Sequence, residues 1–250
     1  MMFSSALDQV CKPMVQNTYK GVLQAAEQFR PDLVATLKNF NDTQTVWKRA
    51  CELVKPGKSS FTCVCHGDPR LKNIFLSDSS KSSSSSSSSP VAGSSKYTCR
   101  FIDFQLTRYS SPITDLLYFV YTATDKRFRQ EHLETLLSVY FEQFVATLNS
   151  FPQDIQALLP PAVKTWSREK LEREFWSLKD YGLVVAIAII PIIYTRSEDM
   201  MDVSLANMSA DEKEKFMIQN RAQVIYNILN RNQVMRQRIF EVLEELFSPV

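Results

Sequence analysis

Between residues 5 and 55 apolar positions recur at helical spacing with few breakers. Leu7, Val10, Met14, Leu23 and Phe29 mark one stretch, and Leu33, Leu37, Phe40, Val46, Ala50 and Val54 the next. Pro56-Gly57-Lys58 is a turn signal, after which 61–65 is a short β-rich run and Ile74-Phe75-Leu76 a second one. Residues 77–96, dominated by serine, have no side chains from which a core could be built, and they predict a flexible hairpin tip. Residues 97–104 return as a strand carrying Asp103.

Beyond Pro112 the pattern is helical. Ser111 is a candidate N-cap with Pro112 at the first helical position, and Leu116, Leu117, Phe119 and Val120 supply an apolar face. A helix over about 128–149 follows, with Leu133, Leu136, Leu137, Tyr140 and Phe144 inward. Pro152 and Pro160-Pro161 interrupt, and Ser167 caps a long helix that reaches the apolar run 183–194. Ser209-x-x-Glu212 is a capping box opening a final helix to about Leu246. The expected fold is mostly α with a small β-hairpin (α+β). Residues 1–60 form a helical lead-in, 61–104 the hairpin section and 105–250 a helical subdomain.

Composition narrows this picture. A chain of 250 residues with 44% hydrophobic positions can bury a sizeable core. The net charge of +2, from 29 basic and 27 acidic residues, predicts neither a nucleic acid nor a membrane surface as partner. The run 183–194 holds about a dozen residues and contains Pro191, whereas a bilayer span needs roughly 20. It therefore reads as a buried helix that ends or kinks at the proline. The five cysteines (Cys11, Cys51, Cys63, Cys65 and Cys99) are odd in number, and 1–20 lacks the apolar stretch of a signal peptide, so a reducing, cytoplasmic setting is expected.

Two acidic motifs carry the candidate chemistry. His66-Gly67-Asp68 follows the first β run, with Asn73 five residues beyond the aspartate, and Asp103 lies 35 positions on at the end of the returning strand. Asp-x4-Asn is the spacing of a phosphoryl-transfer loop, in which the Asp faces the acceptor hydroxyl and the Asn reaches a magnesium ion. A second Asp on a following strand meets the remaining face of that metal. A competing zinc reading of Cys63, Cys65, His66 and Cys99 is weaker, because no Cys-x2-Cys pair exists and His66 belongs to the loop. His132, the other histidine, sits in a helical pattern.

The stretches CHGDPRLKN (65–73) and FIDFQLTRYSSPITDLLYF (101–119) resemble the C-terminal lobe of the ecdysteroid-kinase-like (CHK kinase-like) family, within the wider aminoglycoside phosphotransferase and choline kinase group. The resemblance implies a protein-kinase-like C-lobe that uses ATP and Mg2+ to phosphorylate a hydroxyl of a small molecule, an ecdysteroid or similar lipophilic alcohol. It makes Asp68 the catalytic aspartate, Asn73 and Asp103 the metal ligands, and Asp115 a brace for the loop backbone. Pro69, Arg70 and Lys72 depart from the family's common Leu, Trp and Asn. Arg70, two residues after the aspartate, is expected to touch the transferred phosphoryl group, and His66 to orient rather than carry protons. Trp166, Phe175, Trp176 and Tyr181 are candidates for an acceptor pocket. A β-rich N-terminal lobe is not legible upstream. Gly21 is the single glycine before the turn at 56–58, and Lys20, Lys38 and Lys48 lie in helical pattern. A non-catalytic binding lobe, and a kinase of the choline or aminoglycoside type, are the alternatives.

Overall fold

The computed structural model describes residues 5–43, 46–78, 97–195 and 209–247. The first 55 residues form three helices: α1 (Ser5–Phe29), α2 (Pro31–Thr43) and α3 (Val46–Leu53). On α1 the buried stripe is Val15, Tyr19, Val22, Ala25 and Ala26, while Leu23 is only half-buried. Small residues take the inner face because another helix comes very close. A Cβ on Gly21 would lie 2.4 Å from the carbonyl oxygen of Ala222, on a helix near the C-terminal end of the chain.

The β residues make two separate antiparallel ladders where a single hairpin is predicted. β1 (Cys63–Cys65) pairs with β4 (Arg108–Ser110), and β2 (Ile74–Asp78) pairs with β3 (Tyr97–Phe101). The hairpin between β2 and β3 is as expected, with Ile74 opposite Phe101 and Asp78 opposite Tyr97. The rest of its serine-rich tip, 79–96, lies outside the described residues. The returning strand stops at Phe101, so Asp103 lies beyond it. Asp103 has a left-handed φ of 66°, which ends the extended run and starts a 3-10 turn over Phe104–Leu106.

α4 (Pro112–Ala123) starts as predicted, with the Ser111 hydroxyl accepting from the Ile113 amide at 3.2 Å. α5 (Lys126–Ser150) starts two residues before the predicted position, because Asp125 caps it by accepting from Phe128 N at 2.7 Å. Two short helices, α6 (Gln153–Leu158) and α7 (Pro161–Lys164), fill the proline-interrupted stretch. The long helix expected from Ser167 is two helices, α8 (Arg168–Ser177) and α9 (Lys179–Tyr194), parted at Leu178. α9 continues through Pro191 to Tyr194. The final helix is likewise divided, into α10 (Ala210–Arg231) and α11 (Gln233–Phe247). Asn232 causes that break: its side-chain oxygen accepts from Met235 N at 3.0 Å and caps α11.

The structure is mostly α with small antiparallel β elements, and α9 is its centre. Leu183, Val184, Val185, Ala186, Ile187 and Ile190 are buried, and the helix packs on α1, α3, α4, α8 and α11. An all-round apolar surface is what a helix enclosed on every side needs. No helix among the described residues is long and apolar enough to cross a membrane. Trp166 and Phe175 belong to this core, and Trp166 also lines a cavity with Phe144, Leu159 and Val163. The Trp166 indole stands edge-on to Phe61 and Phe144 at 5.1 and 5.0 Å and donates to Glu174 Oε2 at 3.1 Å. Trp176 packs edge-on against Phe175.

Candidate functional site

The loop after β1 is compact because it bonds to itself. Arg70 N donates to Asp68 O at 2.9 Å and Asn73 N to Arg70 O at 2.8 Å, which winds 71–73 into a 3-10 turn and returns Asn73 to Asp68. The Asn73 amide nitrogen then donates both to Asp68 O at 2.9 Å and to Asp68 Oδ2 at 3.0 Å. Asp68 is 3% exposed. The same Oδ2 meets Arg70 Nη2 at 3.1 Å, and Oδ1 accepts from the Tyr118 hydroxyl. A buried carboxyl group needs such donors to replace the water it has lost. Three of the four residues singled out by sequence are therefore in direct contact: Asp68, Arg70 and Asn73.

The fourth is delivered by the backbone. Ile102 N donates to Asn73 O at 3.0 Å, extending the β2–β3 pairing by one bond and setting Asp103 next to the Asn73 turn. Among the described residues Asp103 is the non-glycine residue with positive φ, a conformation that Asp tolerates better than most and that collects at functional sites. Its exposed carboxylate accepts from Gln105 Nε2 at 3.4 Å.

His66 ties the two motifs together. Its Nδ1 accepts from Asp68 N at 3.2 Å and its Nε2 lies 2.8 Å from Ile102 O, a pairing that assigns the ring proton to Nε2. Both ring nitrogens are engaged in holding backbone, as an orienting role requires. Gly67 adds a steric link. It has φ of 89°, and a Cβ there would sit 2.1 Å from Leu106 O, so only glycine lets the loop lie against the turn that follows Asp103.

Asp115, in the first turn of α4, braces the loop by accepting from His66 N at 2.6 Å and Gly67 N at 3.1 Å. Burial holds its carboxyl above the usual carboxylate range, opposed by the Arg108 charge and by those two amides. Arg108 closes the arrangement: it donates to Gly67 O at 3.1 Å, to Thr114 Oγ1 at 3.2 Å and to the Tyr181 hydroxyl at 2.9 Å, and lies 3.7 Å from Asp115. Tyr118 and Arg108 were not legible as site residues, and Tyr181, named from sequence only as a pocket candidate, accepts a hydrogen bond from Arg108. The available signal was the placement of Tyr118 one helical turn after Asp115, which puts both on the loop-facing side of α4. Burial, and then its bond to Asp68, push the Tyr118 hydroxyl's pKa well up.

Among the described residues no cluster of three or more His, Cys, Asp or Glu side chains gathers as a metal centre. Asn73 and Asp103 offer one amide oxygen and one carboxylate. That set is poor for zinc but fits magnesium, which takes few protein ligands and completes its shell with water and phosphate oxygens.

The family model for the ecdysteroid kinase-like family matches residues 1–152. The match takes in the lead-in helices, both acidic motifs, α4 and α5, and stops where α6 begins. No curated protein and no solved structure matches the chain.

Proposed function

The chain belongs to the ecdysteroid kinase-like family, and from that premise we propose that it is an ATP- and Mg2+-dependent phosphotransferase acting on a hydroxyl of a small lipophilic alcohol of the ecdysteroid kind. The observation that supports this reading is the Asp68 carboxylate, buried and held by Asn73, together with the backbone bond to Asn73 from Ile102, the residue before Asp103. Asp68 orients the acceptor hydroxyl and takes its proton as the oxygen attacks. Asn73, whose amide nitrogen is committed to Asp68, would offer its oxygen to the cation, and Asp103 would supply the carboxylate. Bound Mg-nucleotide supplies the phosphoryl group and the charge that neutralises it in transfer. Arg70, now paired with Asp68 Oδ2, would turn to the transferred phosphoryl group, leaving Oδ2 with Asn73 as its side-chain donor and a lone pair for the acceptor hydroxyl. His66 keeps Ile102, and through it Asp103, in place.

A second reading, a nucleotide-binding lobe that does not transfer, is favoured by one observation. Both Asp68 oxygens are already taken, by Tyr118 on one side and by Asn73 and Arg70 on the other. Calorimetric titration of ATP with and without magnesium tests both. Binding is expected to require magnesium and to weaken at least about tenfold in Asp103→Ala, since loss of a metal-site residue typically costs 10–100-fold. Identical curves for the wild type and the variant reject the metal site. Magnesium-dependent binding with no transfer to any sterol alcohol offered selects the second reading.

A further inference from the structure

We propose that Cys63 and Cys65 form a dithiol modification site, which a small-molecule disulfide such as oxidised glutathione converts to an intramolecular Cys63–Cys65 disulfide, and that closing this bond releases the His66–Gly67 turn from Asp115. The consequence for the active site rests on the phosphotransferase reading; the chemistry of the two thiols does not.

Residues i and i+2 of a strand point to one face, and on β1 that face carries two cysteines. Their sulfurs are 3.9 Å apart, whereas Val64 between them faces solvent. The two thiols differ in reach and in acidity, and the contact that most raises the pKa of Cys65 is lost once the Cys63 thiolate has become a mixed disulfide. Cys63 is half-buried and therefore the one within reach of a dissolved disulfide, and Cys65 is buried behind it. The bond from Cys65 lowers the Cys63 pKa, favouring its thiolate, and the same contact, followed by burial, raises that of Cys65. The Cys63 thiolate attacks one sulfur of the oxidised glutathione and expels one glutathione thiolate, leaving a mixed disulfide. Cys65 then gives up its proton and attacks the Cys63 sulfur, expelling the second glutathione. Two protein thiols are oxidised, and one glutathione disulfide is reduced to two thiols.

The site matters because the strand cannot close this bond without changing shape. Two residues of an extended strand place the Cα atoms about 6.6 Å apart, near the top of the range of about 4.4–6.8 Å that disulfides span. The sulfurs must approach by about 1.9 Å to bond. β1 has only three residues, paired with β4 as Cys63–Ser110, Val64–Tyr109 and Cys65–Arg108. Cys65 is joined directly to His66, whose amide is held by Asp115, and its partner Arg108 grips the Gly67 carbonyl. Shortening β1 therefore pulls on the two amides that fix the catalytic turn. A strained disulfide is also easily reduced, which makes the change reversible.

Reduced protein is incubated with oxidised glutathione, quenched with an alkylating agent and mapped by mass spectrometry. The expected product has lost two hydrogens, carries no glutathione and contains a Cys63–Cys65 link that dithiothreitol reverses. Cys65→Ser is expected to retain one glutathione on Cys63, because the resolving thiol is gone, and Cys63→Ser to form no link. Hydrogen exchange of the His66 and Gly67 amides is expected to speed up at least about tenfold in oxidised wild type and not in Cys63→Ser. Wild type that keeps both thiols alkylatable, retains a stable glutathione adduct or pairs either cysteine with Cys51 or Cys99 overturns the site. A Cys63–Cys65 link that leaves the two amides protected overturns the coupling. Neither readout involves nucleotide, so a failed phosphotransferase assignment is recognised separately.

Discussion

Buried tyrosine hydroxyls usually find an acceptor; on α4 Tyr118 finds Asp68, whereas the buried Tyr121 hydroxyl has no partner among the described residues. Replacing Tyr118 with phenylalanine keeps the ring and removes only the donor to Oδ1. The buried carboxylate then lacks one of its three side-chain donors, and a charged group left short of a partner costs about 1–3 kcal/mol. Tyr118→Phe is expected to lower the stability measured by urea unfolding by that amount, and unchanged stability would show that the bond contributes nothing. At this scale the motif residues were legible because their spacing is set by local chemistry: Asn73 returns to Asp68 through two hydrogen bonds within six residues. Tyr118 was hidden in an apolar stripe, since periodicity registers a tyrosine as core and says nothing of where its hydroxyl points. Trp166 and Phe175 show the same ambiguity: aromatics clustered in sequence suggest a pocket, and the helices bury both in the interior, with Trp166 also at the wall of a cavity.

Among elements, the decisive one is the first turn of α4, which presents Asp115 to the loop amides while β4, just before it, presents Arg108 to the loop carbonyl. Ser111-Pro112 made the start of α4 legible, as Ser167 did that of α8. The breaks at Leu178 and Asn232 were not legible, because neither position carries glycine or proline; Asn232 ends one helix by capping the next. The β1–β4 ladder was also missed, since three-residue strands 45 positions apart leave no pattern in sequence. The buried Asp115 carboxyl gives this region a distinct pH response. Its folded pKa lies above the ordinary value, so the folded chain binds that proton more readily than the unfolded chain. The associated stability is fully present below about pH 3.9, the ordinary aspartate value, and is lost as pH rises through the folded pKa. As pH rises above about 3.9 and through the raised folded pKa, wild type is expected to lose stability relative to Asp115→Asn, which has no such titration. Urea midpoints for both proteins across that window provide the measurement, and parallel profiles would contradict the assigned direction.

For the whole molecule, the family match and the physical unit differ in extent. The match ends at 152, yet the matched helices rest on later ones. α4 packs against α9, and α1 packs most extensively against α10 and also against α9. Leu117 and Val22, both fully buried in the matched segment, belong to one hydrophobic cluster with Ile187, Ile225 and Leu229 from beyond it. The site loop hangs from α4 through Asp115 and Tyr118, and Arg108, which grips the loop carbonyl, is held by Tyr181 of α9, so the loop's geometry depends on α9. This dependence predicts one cooperative unit, in which a cavity at the middle of the central helix, away from Tyr181, lowers the stability of the whole. Ile187 is fully buried at the middle of α9, and truncating it leaves a cavity the surrounding helices cannot fill. Ile187→Ala is expected to cost about 2–5 kcal/mol. Far-UV circular dichroism and the fluorescence of Trp47, Trp166 and Trp176 should shift together to the lower midpoint, as coincident probes do for a two-state domain. Separated transitions would mean that the matched segment holds its structure without the helices after 152, and the core would then have to be divided there.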